Sequence, residues 1–368
     1  MNETPATNRV ARVWLEGFRN YGALDLEISP AFNVMTGRNA QGKTNFLEAL
    51  YLLSTTRLLR GQRDAEAIQE GRQFARVEAE LSGSGTRVAV TLQRGARKKA
   101  YLNGLGLPRA SDLLGRIPCV AIGAEDMEIV RGEPSDRRLF LDLELSSLFP
   151  SYLRHLTLYK RALEQRNALL RSSQEFHQPA ELFEPWEAQL AHHGAALREA
   201  RHRYVRRIVP EAAALHSRLG QGEEISLTYL PKDPSDDEAS LGEALGRARG
   251  LDSVRGGTSV GPHRDDLTIE VGGREARLFG SQGQQRTSVI SLKLATLSIA
   301  AEELGSPPLL LLDDILSDLD ELRRALLIEI VLAKAGQAIL TCTEAAAAGE
   351  RILQQAQVFE VVDGKIRR

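Results

Sequence analysis

At 368 residues the chain is longer than one hydrophobic core usually supports, so two lobes are expected. Its 47 Lys and Arg against 49 Asp and Glu give a net charge of −2, which excludes a protein drawn to nucleic acid by a global positive field and leaves only local patches for that role. The only two cysteines, Cys119 and Cys342, stand in apolar runs, which excludes a disulfide scaffold and reads as two buried thiols of a reducing compartment. The opening stretch MNETPATNR lacks the apolar core of a secretory signal, and no run reaches the roughly 20 apolar residues of a membrane span, so a soluble cytoplasmic protein is expected.

Val10 to Glu16, Ala23 to Ile28 and Phe32 to Thr36 read as strands, the last feeding a glycine-rich loop. Phe46, Leu47, Leu50, Tyr51 and Leu53 keep helical spacing behind that loop. Val77 to Leu81 and Val88 to Leu92 alternate across a Gly-Ser turn, a hairpin continued by Ala100 to Leu102. Ser135 to Arg218 is nearly free of glycine and predicts three or four helices ending near Pro150, Pro179, Pro185 and Pro210. Ile225 to Leu230 is a strand between loops, and 250–261 a further loop. Leu267 to Val271 and Arg277 to Phe279 are expected as a hairpin back in the first lobe. Then come a helix (Gln282 to Glu303), an apolar strand (Leu309 to Leu312), a helix (Glu321 to Ala335), a strand (Ala338 to Thr341) and a hairpin around Asp363-Gly364.

The residues with chemistry lie far apart. Gly37, Arg38, Asn39, Ala40, Gln41, Gly42, Lys43, Thr44 and Asn45 fit a phosphate loop between strand and helix. Its backbone N–H groups and the helix N-terminus favour phosphate oxygens, Lys43 adds a point charge, and Thr44 offers an oxygen to Mg²⁺. The apolar strand at Leu309 ends in Asp313-Asp314, as a buried parallel strand presenting carboxylates does: Asp313 for the Mg²⁺ shell, Asp314 to orient or deprotonate a water. Ser281, Gly283 and Gln284 open a helix whose N-terminus is a second anion site. One chain already has a phosphate site at Lys43, so this second end is best explained as a cap on ATP held by another copy. A plain N-cap serine is the simpler alternative.

These blocks resemble the RecF family, bacterial DNA-repair ATPases related to SMC heads. The resemblance is carried by Leu15-x-x-Phe18-Arg19-Asn20-Tyr21, by Gly37 to Asn45, and by Glu125-Asp126 with Gly132-x-Pro134-x-x-Arg137-Arg138-x-x-Leu141-Asp142. Val260 to Asp266, Ser281 to Arg286 and Asp313-Asp314-x-x-Ser317-Asp318-Leu319-Asp320 complete it. It implies an α/β ABC-type ATPase head, a P-loop sheet plus an antiparallel β subdomain, with an inserted, mainly helical lobe lacking a long coiled coil. Residues 1–134 and 256–368 would form the head and 135–255 the lobe. It also implies ATP and Mg²⁺ binding, slow hydrolysis, an ATP-dependent homodimer, binding to double-stranded or gapped DNA, and work with RecR and RecO in loading RecA.

Two rival classes, a transporter ATP-binding subunit and an SMC-like tether, fit less well. The RecF-type blocks and a missing switch histidine oppose the first, and the shortness of 135–218 the second. Where that histidine would stand are Thr341-Cys342-Thr343, whose hydroxyls either reach the phosphate or cap a strand. Glu125 or Asp126 takes the Q-loop place, and Arg19 is either a nucleotide contact or a surface charge. Arg94, Arg97, Lys98 and Lys99 crowd one turn and Arg198, Arg201, Arg203, Arg206 and Arg207 one helix; each is a candidate DNA contact or a solvated face. His192, His193, His202 and His216 read as solvated helix positions without metal partners.

Overall fold

The structure is a computed structural model that describes residues 9–59, 63–174, 176 and 178–368. In chain order it has β1 (Val10–Phe18), β2 (Tyr21–Glu27), β3 (Phe32–Thr36), α1 (Lys43–Thr55), β4 (Phe74–Leu81), β5 (Arg87–Gln93), β6 (Lys99–Leu102), β7 (Leu105–Gly106) and β8 (Cys119–Ile122). Next are α2 (Glu128–Arg131), α3 (Pro134–Leu148), α4 (Pro150–Ser172), α5 (Glu184–Leu219), β9 (Ile225–Leu230), α6 (Glu238–Arg255), β10 (Asp266–Val271), β11 (Arg274–Glu275) and α7 (Ala276–Phe279). Last are α8 (Gln282–Leu304), β12 (Leu309–Asp313), α9 (Glu321–Lys334), β13 (Gln337–Cys342), α10 (Glu350–Leu353), β14 (Ala356–Val362) and β15 (Lys365–Arg367). Among the described residues, no helix is long and apolar enough to cross a membrane.

The chain divides into two compact units, Met1–Met127 with Leu215–Gly222 and Val289–Arg368, and Glu128–Ala214 with Glu223–Ser288. The first has two six-stranded sheets. One is antiparallel, in the order β2-β1-β4-β5-β6-β7; the other runs β15-β14-β3-β13-β12-β8, with β14, β3, β13, β12 and β8 parallel. Between them, Phe46, Leu47, Leu50 and Leu53 of α1 share one buried cluster with Val77 and Val90 of the first sheet and Leu309, Leu311 and Ile339 of the second. A helix apolar around most of its girth needs cover on both sides, and two sheets supply it. Burying each of these large side chains favours the fold by about 1.5–3 kcal/mol, which fixes the helix that follows the loop.

Parallel registry sets where the functional ends fall. Asp313 on β12 pairs with Thr341 on β13, and Cys342 on β13 with Thr36 on β3. The C-terminal ends of three adjacent strands therefore stand together, as the crevice rule for parallel sheets requires.

The second unit is held differently, by charges taken out of water. Arg166 on α4, fully buried, meets Glu187 of α5 at 3.1 Å and Asp252 of α6 at 2.7 Å. Asp265, also fully buried, accepts from Arg198 at 2.8 Å through both oxygens, from the Tyr229 hydroxyl at 2.6 Å and from the Lys232 N–H at 3.0 Å. Arg201 adds Asp142 at 2.7 Å and the Pro262 carbonyl. His263 is wedged between the Tyr159 hydroxyl at 2.6 Å and the Thr258 carbonyl at 3.0 Å. A carbonyl only accepts, so Nε2 carries the proton and Nδ1 accepts from tyrosine. Burial pushes this imidazole down to about 4, so it stays neutral.

Several sequence expectations are corrected here. Strand β10 does turn back across Gly272-Gly273, but into the two-residue β11 and not into 277–279, which belong to α7; along its whole length it pairs with β9 in the second unit. The second unit thus takes in segments on both sides of 135–255. Pro210 lies inside α5 instead of ending it. Tyr204, Ile208 and Ala212, all buried, keep one face of that helix continuous past the proline, and their burial offsets its cost of about 3 kcal/mol. Helix α6 runs through what reads as a loop at 250–255. Gly242, Gly246 and Gly250 mask it, although the Asp237–Ser240 capping box marks its start.

Removing Asp265 takes from buried Arg198 one of its two carboxylates, Asp233 remaining at 2.6 Å, and leaves the Tyr229 hydroxyl and the Lys232 N–H without their acceptor. Asp265→Ala is expected to cost about 1–3 kcal/mol, read as an earlier urea transition of the second unit. A midpoint equal to wild type would deny the cluster its structural role.

Candidate nucleotide-binding site

Strand β3 delivers the chain into a loop that only certain residues allow. Gly37 has φ +140°, and a Cβ there would lie 2.4 Å from the Val361 carbonyl of β14. Gly42 has φ +116°, and its Cβ would meet Asn20 at 2.6 Å. Ala40 also takes a positive φ, 64°. This succession turns backbone N–H groups to one side, and among the described residues no acceptor meets those of Asn39, Ala40, Gln41 or Gly42. Such a nest in front of the α1 N-terminus is built for an anion.

Neighbours hold the loop from outside. Asn20 donates to the Gln41 carbonyl at 2.9 Å and accepts from Asn45 at 2.8 Å, and the Tyr21 hydroxyl reaches the Gly42 carbonyl at 2.9 Å. From the β14–β15 turn, the Asp363 N–H donates to the Gln41 side chain at 2.9 Å and the Gly364 N–H to its carbonyl at 3.1 Å. Lys43, 6 % exposed, folds its ammonium onto the Gly37 and Arg38 carbonyls.

Next to the loop, the Asp313 carboxylate accepts through the same oxygen from Thr44 at 2.9 Å and Thr341 at 2.7 Å. Thr341 in turn accepts from the Asp314 N–H at 2.9 Å. Asp314 has φ +51°, a left-handed backbone that aspartate tolerates, and its side chain accepts from Ser317 at 2.7 Å. The arrangement fits a hydrated divalent ion beside phosphates: a hydroxyl and a carboxylate, both hard oxygen donors, stand at the edge of an anion nest. Thr341 therefore holds Asp313 and Asp314 within the described residues. Cys342 is buried, and burial pushes its thiol up to about 11, as expected of an inert cysteine.

Of the Q-loop candidates, Glu125 is exposed, whereas Asp126 accepts from the Gly123 N–H at 2.8 Å and lies 3.6 Å from the Lys293 ammonium. Burial raises its pKa against the pull of Lys293 and Gly123. Arg19 is not a loose surface charge. It pairs through two nitrogens with buried Glu48 of α1, at 2.7 and 3.0 Å.

Ser281 stands in the second unit. Its hydroxyl accepts from the Gln284 N–H at 3.2 Å, while the Gln284 side chain accepts from the Ser281 N–H at 2.8 Å, a reciprocal cap at the head of α8. Gln284 also reaches Glu223 at 2.7 Å. Gly283 follows Ser281 and Gln282 on the first turn, and Ser281 itself is exposed.

The basic runs separate into engaged and available cations. Arg198 and Arg201 are buried in the ion clusters above and offer no surface, whereas Arg203 and Arg206 of the same run are exposed. In the turn leading into β6, exposed Arg94 donates to the Arg72 and Ile68 carbonyls and half-buried Lys98 to Asp64 and the Thr56 carbonyl, while Arg97 and Lys99, the first residue of β6, are exposed. Sequence reasoning missed a cleft of about 720 Å³ in the second unit whose cations are Arg138, Lys232, Arg255 and Arg264. Its members come from four separate segments, so no local run announces it. The grip of Tyr21 and of the Asp363-Gly364 turn on the loop was likewise unreadable, because it joins the two ends of the sequence.

A phosphate loop behind a parallel strand, an acidic strand end two strands over, an antiparallel sheet across the helix and a serine-capped second helix define an ABC-type ATPase head of the SMC kind. The RecF/RecN/SMC N terminal domain model matches residues 9–366. The chain is 41 % identical to the DNA replication and repair protein RecF of Symbiobacterium thermophilum over 90 % of each, and 39 % identical to that of Synechococcus sp. strain JA-3-3Ab over 95 % of each. A solved RecF–ATP structure, from work on the RecFOR pathway, superposes with a TM-score of 0.89 at 28 % identity, covering 100 % of this chain and 99 % of that one. An SMC head bound to part of ScpA shares the fold at 15 % identity and a TM-score of 0.57. The chain belongs to the RecF family of DNA replication and repair proteins.

Removing the Thr341 hydroxyl tests the carboxylate clamp. Thr341→Val leaves Asp314 N–H without its acceptor and should lower stability by about 1–3 kcal/mol without nucleotide, seen as a fall in Tm. An unchanged Tm would show that the hydroxyl holds nothing in place.

Proposed function

We propose that this chain binds ATP with Mg²⁺, hydrolyses it slowly, and cycles between a monomer and an ATP-closed dimer that engages double-stranded or gapped DNA in the cytoplasm. The carrying observation is the meeting of Thr44 and Thr341 on one Asp313 oxygen, beside a loop whose N–H groups await an anion. In this reading Gly37 to Thr44 grip the phosphates and Lys43 swings from the loop carbonyls to phosphate oxygens. Thr44 and Asp313 would hold the metal, which when bound would supply charge neutralisation at the transferring phosphoryl group. Asp314 orients the attacking water; its carboxylate is one methylene shorter than the glutamate usual in such heads, in keeping with slow turnover.

Ser281, Gly283 and Gln284 would cap the nucleotide of a partner copy. The reciprocal Ser281–Gln284 cap supports this role, because it fixes the hydroxyl at a helix N-terminus and leaves it exposed. For DNA, the exposed Arg97 and Lys99 and the cleft around Arg138, Lys232, Arg255 and Arg264 supply backbone contacts without base readout, whereas Arg94 and Lys98 brace their own turn. The solved RecF–ATP structure, of a recombination mediator in the RecFOR pathway, supports the same setting here, with RecO and RecR as partners in loading RecA at single-strand gaps.

Two variants separate binding from dimerisation. Lys43→Ala removes a charged hydrogen bond worth about 1.5–3 kcal/mol, so ATP affinity should fall roughly ten- to hundredfold by equilibrium binding. Undiminished affinity would take Lys43 out of the site. Ser281→Arg should keep monomer affinity for ATP but abolish the ATP-dependent dimer in sedimentation, with and without duplex DNA. A normal dimer in that variant would refute capping in trans.

A further inference from the structure

The histidines of the second unit, which read from the sequence as isolated solvated positions, are gathered by the fold. His155 comes from α4 and His192 and His193 from α5. One ring nitrogen of each lies within 4.8 Å of the others. The Nδ1 atoms of His155 and His193 are 3.1 Å apart. Zinc held tetrahedrally at about 2.0–2.1 Å from each nitrogen would place two ligand nitrogens about 3.3 Å apart, so this pair is spaced as two corners of such a site.

The third ring is aimed by a carboxylate. His192 Nδ1 lies 2.8 Å from a Glu238 oxygen at the start of α6. That contact fixes the tautomer and leaves Nε2 for a metal, the carboxylate–histidine pairing that orients metal ligands in general. His216 plays no such part, being fully buried elsewhere, and His202 lies against Tyr229. The signal was hidden because His155 stands a helix away from the His192-His193 pair.

We propose that His155, His192 and His193 form a binding site for a divalent transition cation, Zn²⁺ in the first instance, with Glu238 orienting His192. Imidazole nitrogens select this class over Mg²⁺ or Ca²⁺, which prefer oxygen. Three protein nitrogens and partial exposure leave a fourth position for water, so the ion is exchangeable. The surrounding charges are mixed: Glu238 favours a cation, and Arg154 opposes it. Burial, with the neighbouring histidines and Arg154, holds His155 and His193 below the ordinary histidine pKa. A bound ion ties α4 to α5 and, through Glu238, to α6.

The test uses the full chain without a histidine tag, stripped with chelator and dialysed against ZnCl₂ at neutral pH. Wild type should hold one more equivalent of zinc than His155→Ala/His193→Ala, a difference that leaves any ion at Asp313 out of account. Glu238→Gln should weaken that equivalent about tenfold or more. Co²⁺ should give wild type, but not the double variant, the visible absorption of a tetrahedral nitrogen site. Matching far-UV circular dichroism and urea midpoints without metal show that the variant folds; if it does not, His192→Ala takes its place. Equal zinc uptake by wild type and variant, or identical cobalt spectra, would overturn the site.

Discussion

One oxygen of Asp313 orders the nucleotide half of this protein. Two threonines from segments about 300 residues apart, Thr44 and Thr341, donate to it, and neither hydroxyl could do so unless β3, β13 and β12 lay side by side in parallel register. The register in turn rests on α1, which is pinned between two sheets by its apolar girth. Packing and chemistry are thus one constraint: a slip of a strand by one residue would turn Asp313 to the other face of the sheet and empty the clamp.

The second unit solves a different problem. It buries Arg166, Arg198 and Arg201 and surrounds each with carboxylates and carbonyls, so its interior is ordered by directional bonds as much as by area. A buried charge tolerates few alternative packings, because any rearrangement strands it without a partner. Asp265, bound from α5 by Arg198, from β9 by Tyr229 and from the following loop by Lys232, leaves those elements little freedom to reorient.

The sequence made the phosphate loop, the strands on either side and the acidic end of β12 legible, because each is a local pattern: an apolar strand, a glycine pair, a helical stripe. It misled where partners are remote. Strand β10 has turn glycines on one side that suggest a hairpin in the first lobe, yet its long partner β9 lies on the other side, beyond α6. The arginines of α5 look like a surface field, and their acids sit in loops and strands that no window joins to them. Arg19 looks free until Glu48, one helix away, is seen beside it. The basic cleft and the histidine cluster were invisible for the same reason, since the first is assembled from four segments and the second from two helices.

The turn at Asp363 and Gly364 that steadies Gln41 has a bearing on synthesis as well as on binding. Gly37 rests against Val361, Gln41 against 363 and 364, and Asp313 against Thr341, so a loop encoded near the start takes its shape from strands encoded near the end. A growing chain that has made only its first few hundred residues carries the glycine-rich segment without its walls. The pocket must therefore form after translation has passed those last strands, by long-range closures of the kind that slow folding. Closure of the loop therefore waits on strands that are made only after the whole of the second unit.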